Sequence, residues 1–305
     1  MSHQIVVVGS LNADEVIDVP HLPLAGDTVI GHGRLEVGWG GKGANQAAAA
    51  ATFADSAGSV AMVGCVGRDD RGRAMVADLA TRGVDVDAVR EADVPSGRAV
   101  IAVDPHGQNL ILVDAGANGD VRTRDVLVER VAEAAVVLLQ LEVPVEVAVA
   151  AAEHATGLVI LNPAPAHGAA GALDAANVVV PNLTELAELT GCRPAEDDDE
   201  AARQARLLDT RADVVVTLGA RGALVVEAAG HVELVAGAVV DAVDTTGAGD
   251  CFCGVLAVEL AEGAALVAAV RVAVAAATLS VTGAGARGRL PTRAETLESM
   301  RSGSS

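Results

Sequence analysis

The sequence predicts an α/β fold: a doubly wound, mostly parallel sheet with helices on both faces, carrying a small inserted antiparallel β lid. Three observations predict it. Short β-branched runs recur along the 305 residues, each followed by an alanine-rich segment of helical composition. These runs are apolar nearly throughout, the pattern of parallel strands covered on both faces. Two other segments alternate apolar and polar residues and are punctuated by turn formers, which is how hairpins read.

Taken in order, IVVVG (5–9) opens the core series, and EVIDVPHLPLAGDTVIGHGRLEVG (15–38) is the first alternating segment. The alanines after Gln46 start a helix, and VAMVG (60–64) is the next core strand. SGRAVIAVDPHGQNLILVDAGAN (96–118) is the second alternating segment, with Asp104, Pro105, His106 and Gly107 as its turn. VVLLQLE (136–142), LVILNPAP (158–165), VVVPN (178–182) and DVVVTLG (213–219) continue the core. EDDDE (196–200) precedes AARQARLL and puts negative charge at the positive end of a helix dipole. The apolar stretch 254–281 is interrupted by Glu259, Glu262 and Arg271 and dominated by alanine, so it reads as buried helices and not as a membrane span. The expected division is a core of 1–11, 39–95 and 119–305 and a lid of 12–38 and 96–118, with the terminal SGSS disordered.

With 51% apolar residues the chain can bury a sizeable core. A net charge of −20 argues against nucleic acid and anionic membrane as partners, since both need clustered basic residues. MSHQIVVVGS has no basic leader region, and the four cysteines form no CxxC pair, so a cytoplasmic protein with reduced thiols is expected. Cys251 and Cys253 read as small core residues.

Lys42 is the only lysine, and it sits among glycines in GWGGKGANQAAAA (38–50). The segment is not a Walker loop, because Glu36 and Gly43 stand where glycine and Ser or Thr are required. GAGARG (283–288) matches the dinucleotide pattern literally but follows an alanine-rich helix and opens no βαβ unit. In DAVDTTGAGDCFCGVLAVEL, by contrast, Gly247, Ala248 and Gly249 lead into Asp250 and a helix. Free N–H groups at a helix start bind anions, and a carboxylate beside them could accept a hydroxyl proton during phosphoryl transfer. Spacing leaves a second reading equally open, Asp250 as a plain N-cap.

GGKGANQ (40–46) with DTTGAGD (244–250) resembles the two signature motifs of the ribokinase family of carbohydrate kinases. GSLNAD (9–14), QLEVP (140–144), LNPAPA (161–166), PNLTE (181–185) and TLGARG (217–222) are similar to that family in type and order. The resemblance implies ATP-dependent phosphorylation of D-ribose at its 5-hydroxyl, with deoxyribose, fructose or a nucleoside as the alternative acceptor and a non-catalytic sugar-binding protein as the remoter rival. It implies a sugar site of Asn12, Asp14, Gly41, Lys42, Gly43, Ala44, Asn45 and Glu142, an anion hole at Gly247, Ala248 and Gly249, and Asp250 as the base. In this reading Lys42 offsets Asp14, Glu142 and Asp250 while donating to a hydroxyl.

Further implications are Asn182 and Glu185 placing Mg²⁺ and phosphates, and Thr217, Leu218, Gly219, Ala220, Arg221 and Gly222 bordering ATP, with Val274 against adenine. The family's K⁺ site would fall on Asp244 and the carbonyls of Thr246, Ser280, Gly283 and Gly285. Arg289 stands where the family carries a serine ligand, and a guanidinium has no acceptor to offer. Either Arg289 turns away and K⁺ still binds, which is the expectation, or it pairs with Asp244 in the ion's place. The lid is also expected to clasp a homodimer.

Overall fold

The computed structural model describes residues 4–56 and 58–302. In chain order its strands are β1 (Ile5–Val8), β2 (Asn12–Asp18), β3 (His32–Gly40), β4 (Val60–Gly67), β5 (Asp85–Ala92), β6 (Gly97–Val103), β7 (Asn109–Asp114), β8 (Val136–Leu139), β9 (Leu158–Leu161), β10 (Val178–Val179), β11 (Asp213–Thr217), β12 (Gly222–Val226) and β13 (Val232–Ala236). Nine of them form the main sheet in the order β13-β12-β11-β10-β9-β8-β1-β4-β5. Pairing is parallel from β5 across to β11 and antiparallel only at β11–β12 and β12–β13.

Continuous apolar runs make sense here because both faces of the sheet are covered. Ile5, Val7, Met62, Leu138 and Ile160 point into a core shared with helices Lys42–Phe53, Ala248–Ala261 and Leu266–Ser280. Val6, Val8, Val63, Leu139 and Leu161 point the other way, toward helix Val145–His154. The apolar stretch at 254–281 falls into two of these helices, broken near Gly263, and no described helix is long and apolar enough to cross a membrane. Cys251 and Cys253 are buried, as a small-residue role requires.

From β1 the chain winds outward through β4 and β5, then returns to β8 on the other side of β1. The loops after β1 and β8 therefore diverge, leaving a crevice beyond the carboxyl ends of the strands, the usual ligand position in such sheets. Ser10 and Asn12 follow β1 there, and Gln140 and Glu142 follow β8.

β3, β2, β6 and β7 form the second sheet. Both expected hairpins are antiparallel, but they join through a parallel β2–β6 pairing. β2 continues from β1 and β6 from β5, and since those core strands run parallel the two hairpins emerge in the same direction. The second hairpin turns at Asp104, whose Oδ1 accepts from His106 N and Gln108 N.

Strands β5, β12 and β13 were not among the runs legible in sequence. β5 (DVDAVREA) is a charged sheet edge and β13 (VELVA) a largely exposed one, so neither carries the apolar signature of a central strand, whereas β12 (GALVV) is buried at every position and was passed over although it carries that signature. The acidic run caps a helix as expected: Asp197 accepts from Glu200 N, with Asp198, Asp199 and Glu200 in the first turn. Of SGSS, Ser302 ends helix Arg293–Ser302 and the remaining residues lie outside the described ones.

Candidate active site

Two helix N-termini meet at the crevice, and neither is capped by its own side chains. The first opens helix Lys42–Phe53 behind Gly41, whose φ of 87° and close approach to the backbone of Ser10 and Asn12 exclude a side chain. Glu142 caps this helix from a distance, its Oε2 accepting from Lys42 N at 3.0 Å and from Ser10 Oγ at 2.5 Å. Ser10 itself receives Gly43 N on its hydroxyl and Ala44 N on its carbonyl. Thus the residues of GSLNAD, GGKGANQ and QLEVP interlock.

The second N-terminus opens helix Ala248–Ala261 behind Gly247 at φ 76°. Here a Cβ would lie 2.8 Å from Ala286, so the loop at 283–288 packs against the helix start. Among the described residues, Gly249 N–H and Asp250 N–H find no protein acceptor. These free donors line a cleft of about 190 Å³ together with Lys42, Glu185, Thr217 and the Asp250 side chain.

Asp250 lies inside the helix and caps nothing, which removes the N-cap reading. Its carboxylate, 8% exposed, accepts from Asn45 Nδ2 on Oδ2 (3.0 Å) and from Gln46 Nε2 on Oδ1 (3.1 Å). Gln46 is held in turn by Asn162 Oδ1, to which it donates, and by Gln140 Nε2, which donates to it. Burial pushes the Asp250 carboxyl upward; Lys42 and the two amide donors oppose that, and Glu142 adds to it. The result is a proton acceptor more basic than an ordinary aspartate.

Asp14 reaches the same site from β2 of the lid and is pushed to about 6, first by burial and then by Glu142 and Asp250, against the pull of Arg287. Lys42 is raised: desolvation works against its charge, but Asp250, Glu142 and Glu185 outweigh it. The one lysine is therefore a firm cation among carboxylates. Asn12 is oriented by Asn118, whose Nδ2 donates to Asn12 Oδ1 at 2.7 Å.

Asn182 and Glu185 form a reciprocal capping box at the head of helix Leu183–Thr190, Asn182 Oδ1 accepting from Glu185 N and Glu185 Oε2 from Asn182 N. Glu185 still faces the cleft, and burial raises it while Asn182 N–H and Lys42 hold it down. Thr217 lines that cleft, and the chain then runs through the turn Gly219–Arg221 into β12. Arg221 is exposed and pairs with Asp198, away from the crevice. Val274 is buried in the core and lines none of the described clefts.

Asp244 Oδ1 accepts from Thr246 N and Oδ2 from Gly285 N, while Val243 N and Asp244 N both donate to Val281 O. The two segments expected to supply cation ligands are thus joined. Arg289 does not pair with Asp244; its Nη1 donates to Glu295 Oε1 at 3.2 Å. The alternative of a guanidinium standing in for the ion is corrected by this geometry, because Glu295, also bonded to Thr292, offers Arg289 a nearer carboxylate.

Reading residue types alone passed over Ser10, Gln46, Asn118, Gln140, Asn162 and Arg287. Gln46 lay within a quoted motif, and Arg287 lay within GAGARG; each was visible, but no spacing rule says which partner a lone amide or guanidinium will find.

A buried, upshifted aspartate beside open helix-terminal donors, in a cleft bordered by polar side chains, defines a phosphotransferase acting on an alcohol. Comparison with known proteins narrows this class. A model of the pfkB family carbohydrate kinases matches residues 2–293, and the chain belongs to that family. It is 39% identical over 302 residues to ribokinase of Bacillus subtilis, covering 96% of this chain and 98% of that one. It is 36% identical over 307 residues to ribokinase of Haemophilus influenzae, covering 98% of each. A structure of Arabidopsis thaliana ribokinase complexed with ribose and ATP superposes with a TM-score of 0.86 at 32% identity, covering 99% of both chains.

Proposed function

We propose that the protein phosphorylates D-ribose at the 5-hydroxyl with ATP, giving D-ribose 5-phosphate. The observation that carries this reading is the Asp250 carboxylate, buried and raised, next to the unpartnered Gly249 and Asp250 N–H groups. Asp250 accepts the hydroxyl proton as the γ-phosphoryl arrives, and the N–H groups take up its charge. Lys42, Asp14, Asn12 and Glu142 hold the sugar's other hydroxyls; Glu142 Oε2 is engaged with Ser10 and Lys42, leaving Oε1 for the ligand. Thr217 and the turn that follows it border the nucleotide, with Arg221 turned away to Asp198.

The Asn182–Glu185 pair suits Mg²⁺ held through water, since the capping box occupies one oxygen of each side chain and no cluster of three metal-ligating side chains exists among the described residues. Bound there, Mg²⁺ would neutralise phosphate oxygens. K⁺ beside Asp244 fits the joined segments, with carbonyls of Thr246, Ser280, Gly283 and Gly285 as ligands and Arg289 turned to Glu295. The lid acts as cover and dimer clasp, in the cytoplasm.

An acceptor panel with ATP and Mg²⁺, covering ribose, deoxyribose, fructose and nucleosides and read by ADP release, tests the reading; preference for a non-ribose acceptor would overturn it. Activity in KCl against NaCl tests the cation, and light scattering at micromolar concentration tests the homodimer.

A further inference from the structure

The phosphotransfer reading leaves one buried cation without a role. Arg287 lies in the GAGARG loop, where it belongs to no recognised motif, yet its side chain is only 6% exposed. It reaches three elements at once. Nε donates to Asn45 Oδ1 at 2.8 Å, Nη1 to Asp78 Oδ2 at 2.8 Å, and Nη2 to Gly40 O at 2.9 Å. Gly40 ends the lid strand β3, Asn45 sits in the first turns of the helix under the sugar site, and Asp78 lies on helix Asp70–Thr81. The residue before Arg287, Ala286, is the one pressed against Gly247 at the start of the anion-hole helix.

These contacts have a directional consequence. An asparagine amide has a donor end and an acceptor end, and a guanidinium can only donate. With Arg287 Nε on Asn45 Oδ1, the amide must present Nδ2 to Asp250, as the 3.0 Å bond shows. Turned over, Asn45 would set an oxygen against the carboxylate and an N–H₂ against a guanidinium, both repulsive. The orientation of a donor on the catalytic base is thereby set from the loop that packs on the anion hole and from the end of the lid. Asp78 also takes Arg82 Nε, so it anchors the guanidinium without depending on it.

Resting on the phosphotransfer reading, we propose that Arg287 is a positioning residue for the reaction: it acts through Asn45 to orient the base Asp250, and clasps the 283–288 loop to the lid's last strand. Its three bonded nitrogens all face protein acceptors, and it also borders the cleft that Asp14 lines. Arg287→Met should therefore lower kcat by about 10- to 100-fold, the scale of an ångström-sized misplacement of a catalytic group, and leave the KM for ATP within about twofold.

The test is a double-mutant cycle on kcat with Arg287→Met and Asn45→Ala, run on whichever acceptor the wild type turns over fastest, with folding checked by thermal melting. If Arg287 acts through Asn45, adding Arg287→Met to Asn45→Ala changes kcat by less than about twofold, because the group being oriented is already gone. Equal losses in both backgrounds would overturn the proposal, since a general structural role predicts additivity. Should Arg287→Met fail to fold, Arg287→Lys replaces it; lysine keeps the charge near Asp78 but lacks the fork that spans three acceptors. A wild type inactive on every acceptor would overturn the phosphotransfer reading and this proposal together, whereas an active wild type with an additive cycle overturns this proposal alone.

Discussion

Strand β4 of the main sheet is buried along all eight residues, whereas β7 of the lid leaves Leu112 63% and Val113 58% exposed. Both are rich in aliphatic residues, so composition does not separate them. The difference is coverage. Helices close both faces of the main sheet, but the inner face of the lid overhangs clefts bordered by Ile111 and Val113, and among the described residues no helix covers its outer face. The core is complete by itself; the lid has apolar surface that only a ligand or a second chain can bury. Each region also contributes an upshifted carboxylate to the site, Asp250 from a core helix and Asp14 from a lid strand. The two should differ in what they do.

Asp250→Asn is the sharpest way to separate them. It keeps the shape of the core carboxylate and removes the proton acceptor, so kcat should fall by about 100- to 10,000-fold while ribose affinity and melting temperature change little. Steady-state kinetics with calorimetric ribose titration would show it, and wild-type turnover would end the assignment of Asp250 as base.

The coverage argument predicts unequal costs for the same truncation in the two sheets. Leu138→Ala, in fully buried β8, should destabilise the protein by about 2–5 kcal/mol. Leu112→Ala, in the lid, should cost less than about 0.5 kcal/mol in a monomeric sample. Equal shifts in urea midpoint would break the comparison.

Lys42→Met removes the cation that faces Asp250, Glu142 and Glu185. The ribose KM should rise by about 10- to 100-fold, the loss of one charged hydrogen bond together with an uncompensated carboxylate, and the ATP KM should stay within about twofold. A reversed pattern would put Lys42 on the phosphates instead.

The smallest effect concerns the lid carboxylate and pH. Asp14 rises from 3.8 to about 6 on folding, so between those values the folded protein keeps a proton that the unfolded chain has lost. Its contribution therefore makes stability fall as pH rises through that window, and above it the folded state carries a charge that burial disfavours. Asp14→Asn should recover on the order of 1–2 kcal/mol at pH 7.5 and less than about 0.5 at pH 4, while weakening ribose binding. A melting-temperature gain that does not grow with pH would contradict the burial of this charge.

Much of this was legible in the chain. The apolar runs at 5–9, 60–64, 136–142, 158–165, 178–182 and 213–219 correspond to β1, β4, β8, β9, β10 and β11, because a strand covered on both faces has to be apolar at every position. β5 was not legible, since an edge strand pairs on one side only and tolerates Asp85, Asp87, Arg90 and Glu91. The anion-hole glycines and Asp250 were visible as a local pattern, for a helix start needs only neighbours in sequence to make its donors available.

What the sequence by itself determined was therefore the set of elements and the chemical groups available: a parallel core, two hairpins, one lysine, and an aspartate at a helix start. Local periodicity and backbone geometry specify such things within a few residues of chain. Only the tertiary structure decided that Asp250 caps nothing and is buried against Asn45 and Gln46, that the hairpins join in parallel, that Arg289 turns to Glu295, and that Arg287 reaches Asn45 across 242 positions of sequence. Each of these depends on which donor meets which acceptor in space, and on how much water is left around them. A residue's type fixes what bonds it can make, but its partner and its burial are set by parts of the chain far away.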